Sequence, residues 1–108
     1  LVEIVDVMDS PNIRLTLDTG HAHIHDGIPD AIAAFGDRLH HLQVHDATDG
    51  RDHQQIGTGE ITPEFYADII ENEKVPLVVI ETSARRGGVP ALLRSRDVLK
   101  ERFGDSLT

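Results

Sequence analysis

Pro76-Leu77-Val78-Val79-Ile80-Glu81-Thr82 is the stretch that decides the fold. Leu77–Ile80 is a short, wholly apolar run, rich in β-branched residues, that follows a proline and ends at a carboxylate. Such a run reads as a strand covered on both faces, the pattern of a parallel sheet under helices. Glu81 then stands where the buried run emerges, and a charge in that position needs a partner.

Working outward, the same pattern recurs twice upstream. Leu39–Val44 is a second strand candidate and ends at His45, while Ile13–Leu17 alternates apolar and polar residues and ends at Asp18. Helical segments separate these strands. Leu1–Met8 reads as the end of an amphipathic helix with Val2, Val5 and Met8 inward, stopped by Asp9-Ser10-Pro11-Asn12. Pro29–Phe35 is helical, with Ile28, Ile32 and Phe35 on one face and Gly36-Asp37 at its end. Thr62-Pro63-Glu64 supplies an N-cap, a proline at the first helical position and an acid in the first turn of a helix that continues to Asn72. Val89–Phe103 is a final amphipathic helix, with Leu92, Leu93, Val98, Leu99 and Phe103 as core candidates. Three stretches are left as loops: Thr19–Gly27, the polar Asp46–Glu60, and Ser83–Gly88.

Alternating helices and strands imply βαβ units around a parallel sheet, so the fold class is α/β and residues 1–108 form one unit with no internal linker. Aromatics are only 4% of the chain, so the core must be built from Ile, Leu, Val and Ala. The net charge of −9 repels phosphate backbones and makes nucleic acid a poor partner. No cysteine is present, which excludes disulfides and thiolate metal sites and fits a reducing cytosol. No apolar run approaches the length of a membrane span and no signal peptide is visible, so a cytoplasmic protein is expected. The chain opens on Leu1 inside an apolar-periodic segment, from which a preceding portion is expected.

The polar residues then point to chemistry. All seven histidines fall between His21 and His53. Asp18, His45 and Glu81 each end a strand, at spacings of 27 and 36 residues, about one βα unit apiece. In parallel α/β folds, functional groups gather at the carboxyl ends of strands, so three ligands at three consecutive ends converge. A single Asp after a strand usually serves a turn or a helix cap, and a single His is usually solvated. It is their repetition at strand ends that favours a metal site. A mixed carboxylate and imidazole set suits Mn²⁺ or Zn²⁺ first, with Co²⁺, Fe²⁺ or Mg²⁺ as alternatives; Mg²⁺ prefers oxygen alone.

Leu17-Asp18-Thr19-Gly20-His21-Ala22 resembles the Asp-x-x-His motif of the xylose isomerase-like superfamily, which holds sugar isomerases and epimerases and endonuclease IV. His41-Leu42-Gln43-Val44-His45-Asp46 is similar to that superfamily's next strand, and Val78-Val79-Ile80-Glu81-Thr82 to its last one. Between them, Asp49-Gly50-Arg51-Asp52-His53-Gln54-Gln55-Ile56-Gly57-Thr58-Gly59-Glu60-Ile61 resembles its loop with a His four residues before a Gly-x-Gly-x-Ile element. The resemblance implies the last three βα units of an eight-stranded (β/α)8 TIM barrel. It also implies one divalent metal on Asp18, His45 and Glu81. By the same resemblance Glu81 and His21 are catalytic, and His21 and His53 bind substrate. The family's further metal Glu lies on a strand before that of Asp18, and Glu3, on a helix segment, is no substitute.

The chemistry so implied is proton transfer next to the carbonyl of a sugar or sugar phosphate, with Glu81 as one of the acid–base pair and Asp46 holding a ligand imidazole. A second reading is phosphodiester hydrolysis on abasic DNA, as in endonuclease IV. Against it, Arg51 stands where endonuclease IV has an Asp, and Asp52 lies next to His53 instead. A third is an inactive piece that only binds metal. The partner expected is a small-molecule sugar, with a homo-oligomer left open.

Overall fold

The computed structural model describes residues 1–72 and 75–104. The element order is α1 (Val2–Met8), β1 (Leu15–Asp18), α2 (Thr19–Ile24), α3 (Ile28–Phe35), β2 (Leu39–Val44), β3 (Asp46–Thr48), β4 (Arg51–Gln54), α4 (Pro63–Ala67), β5 (Leu77–Ile80) and α5 (Gly88–Phe103). A π-helical turn, Asp68–Asn72, continues α4, and 3-10 turns at Gly36–Arg38 and Ala84–Arg86 precede β2 and α5.

β1, β2 and β5 form a parallel sheet in that order, flanked by helices. The register sets Leu17 beside Leu42, and Leu42 beside Val78. Side chains alternate across a sheet, so Leu17, Leu42, Val44, Val78 and Ile80 share one face. That face packs into the core with Ile28, Ile56, Ile61, Tyr66, Ile69, Leu99 and Phe103. The opposite face carries Thr16, Asp18, His41 and Gln43, and it leaves Leu77 55% and Val79 40% exposed. A sheet face that mixes apolar and site-bearing residues in this way is the one a closed barrel turns inward.

Several local expectations change. Thr19–Ile24 is a helix, not a loop: the Asp18 side chain caps it by accepting the His21 N–H at 2.9 Å. A cap, rather than an apolar stripe, starts this turn, which is why periodicity does not reveal it. The Asp46–Glu60 loop contains a β-hairpin, β3 antiparallel to β4, with Thr48 opposite Arg51. Its two-residue turn is Asp49-Gly50, with φ values of 51° and 72°, the left-handed pair that a tight hairpin requires. β1 begins only at Leu15: the Ile13 N–H closes a turn on the Ser10 carbonyl at 3.2 Å, and the Arg14 guanidinium donates to the Ser10 and Ile13 carbonyls.

α1 buries none of its residues fully: Val2 and Val5 are half-buried on the expected face, while Met8 is exposed. The helix is also tied by a two-pronged ion pair, Arg38 to Asp6 at 2.6 and 2.7 Å. Of the core residues expected on α5, Leu92 and Val98 are half-buried and only Leu93 is exposed; the buried ones are Ala91, Ser95, Leu99 and Phe103. These four residues recur every fourth position and line one stripe of the helix. The stripe tolerates the polar Ser95 because its hydroxyl accepts the Ile56 N–H at 3.0 Å.

Candidate metal centre

The carboxyl ends of the three parallel strands and the hairpin meet at one place. Asp18, which ends β1, sets Oδ1 2.6 Å from His45 Nε2 while also capping α2. The side chain that caps the helix is therefore also one of the clustered donors.

His45 is wholly buried, and its backbone is locked from two directions. Thr19 Oγ1 accepts the His45 N–H at 3.0 Å and donates to its carbonyl at 2.8 Å. The Tyr66 hydroxyl donates to the same carbonyl at 2.9 Å. Burial, helped by the charge of Asp46, holds the Tyr66 phenol far above its ordinary range, so it remains a donor. The imidazole fills the space over Gly20, where any side-chain carbon would collide with the ring. Nδ1 of that ring accepts the His53 N–H at 2.8 Å, which leaves Nε2 facing the other candidate ligands. Glu81 follows β5, its N–H donating to the Val44 carbonyl at 3.0 Å, and sets Oε2 4.0 Å from His45 Nε2.

His53 completes the group. It takes a left-handed backbone, φ 55°, which turns its ring onto that of His45, stacked at 4.4 Å and within 3° of parallel. Its Nε2 lies 3.4 Å from Glu81 Oε2. One donor atom each from Asp18, His45, His53 and Glu81 lie within 4.8 Å of one another. Two carboxylates and two imidazoles clustered so closely could hold a metal ion. The structure thus brings Asp18, His45 and Glu81 together, and it sets His53 among them rather than apart as a substrate contact only.

A second tier surrounds this group. Asp52 bridges two imidazoles, with Oδ1 2.8 Å from His53 Nδ1 and Oδ2 2.7 Å from His21 Nε2. His21 returns to Asp18 through Nδ1 at 3.4 Å. Three carboxylates and three imidazoles therefore alternate around a ring. Partial burial raises the cost of charge on Asp18, but the hydrogen bonds from His45 and the His21 N–H outweigh it and hold its carboxyl below the ordinary range. Asp52 is held low in the same way, burial opposing and His53 and His21 prevailing. His53 is pushed up: burial opposes its charge, but the hydrogen bond to Asp52 and the charges of Asp52, Glu81 and Asp18 win. His21 stands at the mouth of a cleft of about 640 Å³ lined also by Asp18, Thr16, Ala31 and Phe35.

Asp46 does not hold an imidazole. It is fully buried and turns the other way, where its carboxylate accepts four backbone N–H groups. Oδ1 takes Ala47 at 2.8 Å and Ile61 at 3.0 Å; Oδ2 takes Gly57 at 3.0 Å and Gly59 at 2.9 Å. The Gly-x-Gly segment is thus wrapped around an internal carboxylate, and its glycines face inward. Of the other histidines, His23 pairs with Glu60 at 3.3 Å, His41 meets Thr16 at 3.1 Å and His40 is exposed. Asp52 is the site residue whose role the sequence concealed; the Asp49-Gly50 turn is the signal that placed it on a strand.

These features define an α/β protein with a carboxylate–imidazole centre at the carboxyl ends of a parallel sheet. The family model of the xylose isomerase-like TIM barrel matches residues 1–102, and the chain belongs to that family. The family covers sugar isomerases and epimerases and endonuclease IV-like enzymes. No curated protein and no solved structure matches the chain. Among the described residues, no helix is long and apolar enough to cross a membrane.

Proposed function

We propose that the protein is a metal-dependent isomerase or epimerase of a sugar or sugar phosphate, working by proton transfer next to a carbonyl. The observation that carries this reading is the single group of four donors, Asp18, His45, His53 and Glu81, at the strand ends beside an open cleft. A divalent ion held there would polarise a substrate oxygen and offset the negative charge that develops when the neighbouring carbon loses its proton. Mn²⁺ or Zn²⁺ is the ion we favour for this donor set.

The chain's own residues supply the rest. Glu81 is partly exposed, and its Oε2 is within 3.4 Å of His53 Nε2, so it can take or return a proton at the rim of the site. His21 is half-exposed, and Asp52 holds its Nε2, so its ring is fixed in orientation at the cleft mouth. In that position it can orient a substrate hydroxyl and, with His53, bind the sugar. The cleft beside them lies in the usual size range of small-molecule sites, which run to several hundred cubic ångströms.

Asp52 favours a second reading. It supplies a carboxylate between two imidazoles, although Arg51 occupies the position where endonuclease IV carries its Asp. A centre of several metals hydrolysing a phosphodiester would use such a group. The chain's charge of −9 opposes a DNA substrate.

Elemental analysis of protein purified without chelator separates the two. About one divalent ion per chain, with turnover of a ketose, supports the sugar enzyme. Two or three zinc ions and cleavage of abasic-site DNA support the hydrolase. No bound ion after Mn²⁺ or Zn²⁺ is added sinks both.

A further inference from the structure

Asp52 and His53 are neighbours on β4, yet their side chains meet. Successive residues of a regular strand point to opposite faces of a sheet, so neighbours do not ordinarily touch. Here the alternation is broken at His53, whose φ of 55° is left-handed. Such a backbone is uncommon for a residue with a Cβ and calls for a reason. With it, Asp52 Oδ1 comes to 2.8 Å from His53 Nδ1. The other oxygen reaches across to α2 and lies 2.7 Å from His21 Nε2. The carboxylate is thereby placed between imidazoles from two different elements. One of them belongs to the clustered donors, and the other lines the large cleft.

Counting protons shows what this placement does. An ionised carboxylate, the ordinary state of Asp at neutral pH, only accepts hydrogen bonds. A neutral imidazole carries a proton on one nitrogen and a lone pair on the other. His53 Nδ1, which faces Asp52 Oδ1, must then carry the proton, and Nε2 keeps the lone pair. That Nε2 lies 3.4 Å from Oε2 of Glu81, another of the clustered residues. In His21 the assignment reverses: Nε2 faces Asp52 Oδ2 and carries the proton, which leaves Nδ1 3.4 Å from Asp18 Oδ2. The two rings need opposite tautomers, and one carboxylate selects both. Asp52 is not itself one of the four clustered residues, and each of its oxygens is taken by an imidazole nitrogen.

We infer that Asp52 is a positioning residue that sets the tautomers of two imidazoles, Nδ1–H in His53 and Nε2–H in His21, and so decides which nitrogen of each ring is free to face the donor group. The inference rests on the metal-dependent reading only for the use to which His53 Nε2 is put. It makes Asp52 a support of the centre and not one of its ligands.

The test is long-range proton–nitrogen correlation spectroscopy of the metal-free chain labelled with ¹⁵N-histidine, at about pH 9, where neutral imidazole prevails. His21→Gln and His53→Gln assign the two rings. Asp52→Ala and Asp52→Asn are measured beside the parent, with far-UV circular dichroism as the check on folding. The amide of Asp52→Asn keeps the size of the carboxylate but offers one acceptor and one donor, so it can hold only one of the rings as the parent does. We expect Nδ1–H in His53 and Nε2–H in His21 of the parent, mixed tautomers in both rings of Asp52→Ala, and one changed ring in Asp52→Asn. A residue that merely filled space would leave Asp52→Asn like the parent. Zn²⁺ titrated by calorimetry should bind Asp52→Ala about 10–100-fold more weakly than the parent, at the same number of ions per chain. If the parent shows Nε2–H in His53, or if both variants keep the parent's tautomers, the inference is overturned. It is also overturned if either variant binds fewer Zn²⁺ ions per chain than the parent, because Asp52 would then be a ligand. Should the parent bind no Zn²⁺, the metal-dependent reading falls, and the metal-free spectra still decide the role of Asp52.

Discussion

Replacing Asp46 with Asn probes the most densely bonded side chain in the protein. The substitution keeps shape and volume but exchanges one carboxylate oxygen for an NH₂ group. Each oxygen now accepts two backbone N–H groups, from Ala47 and Ile61 on one side and from Gly57 and Gly59 on the other. Whichever way the amide turns, two bonds survive and two N–H groups meet a donor. Hydrogen bonds to a charged acceptor contribute about 1.5–3 kcal/mol each, so the direct loss is about 3–6 kcal/mol. A neutral amide is cheaper to bury than a carboxylate, which offsets part of it. The expected destabilisation is therefore about 3 kcal/mol, a large fraction of the 5–15 kcal/mol typical of a domain, roughly. For a chain of this size that lowers Tm by about 12–24 °C. Urea denaturation followed by far-UV circular dichroism measures it directly, with an unchanged denaturant slope as the check on two-state behaviour. A loss of less than about 1 kcal/mol would refute the reasoning, because it would mean that the freed N–H groups find other acceptors at little cost.

Metal loading should change the backbone of the hairpin. His45 Nδ1 now accepts the His53 N–H, and a neutral ring that offers Nε2 to a cation must carry its proton at Nδ1, facing that same donor. Adding Mn²⁺ or Zn²⁺ is therefore expected to speed hydrogen exchange of the His53 amide, and slower or unchanged exchange would show that Nε2 is not the coordinating atom. Metal affinity should fall with pH, because His53 must be neutral to coordinate and its neighbours push its pKa above the ordinary value of 6.5. Asp18 and Asp52 are held low and stay ionised through this window; affinity that stays flat from about pH 8 to pH 5.5 would exclude His53 as a ligand. In the metal-free protein the sign reverses: the stabilisation that His53 gains from Asp52 is present below its unfolded pKa and is lost as pH rises through the higher folded one.

Much of this protein is written locally. The apolar run before Glu81, the mixed segment Leu39–Val44 before His45 and the alternating run before Asp18 state the strands and their ends. With helices between them, parallel order follows, and parallel order brings the ends together on one rim. The family match over residues 1–102 agrees with that reading of the fold. Two elements carry only weak local signals. α2 rests on one side-chain cap, and the hairpin on a two-residue turn inside a stretch that otherwise looks like a polar loop.

The sequence by itself determined the three parallel strands and three of the four clustered donors, because period-two and apolar patterns depend on neighbours along the chain. Only the tertiary structure decided that His53 joins them, since that needs a left-handed residue on a hairpin packed against α2, with its ring stacked on that of His45. It likewise decided that Asp46 serves three distant amides, from Gly57, Gly59 and Ile61, rather than an imidazole, and that Ser95 lies on the buried stripe of α5. Each of these bonds joins residues far apart in sequence or reverses the direction in which a side chain points. No periodicity along the chain records such a choice; it is settled when buried donors and acceptors must all find partners within a packed interior.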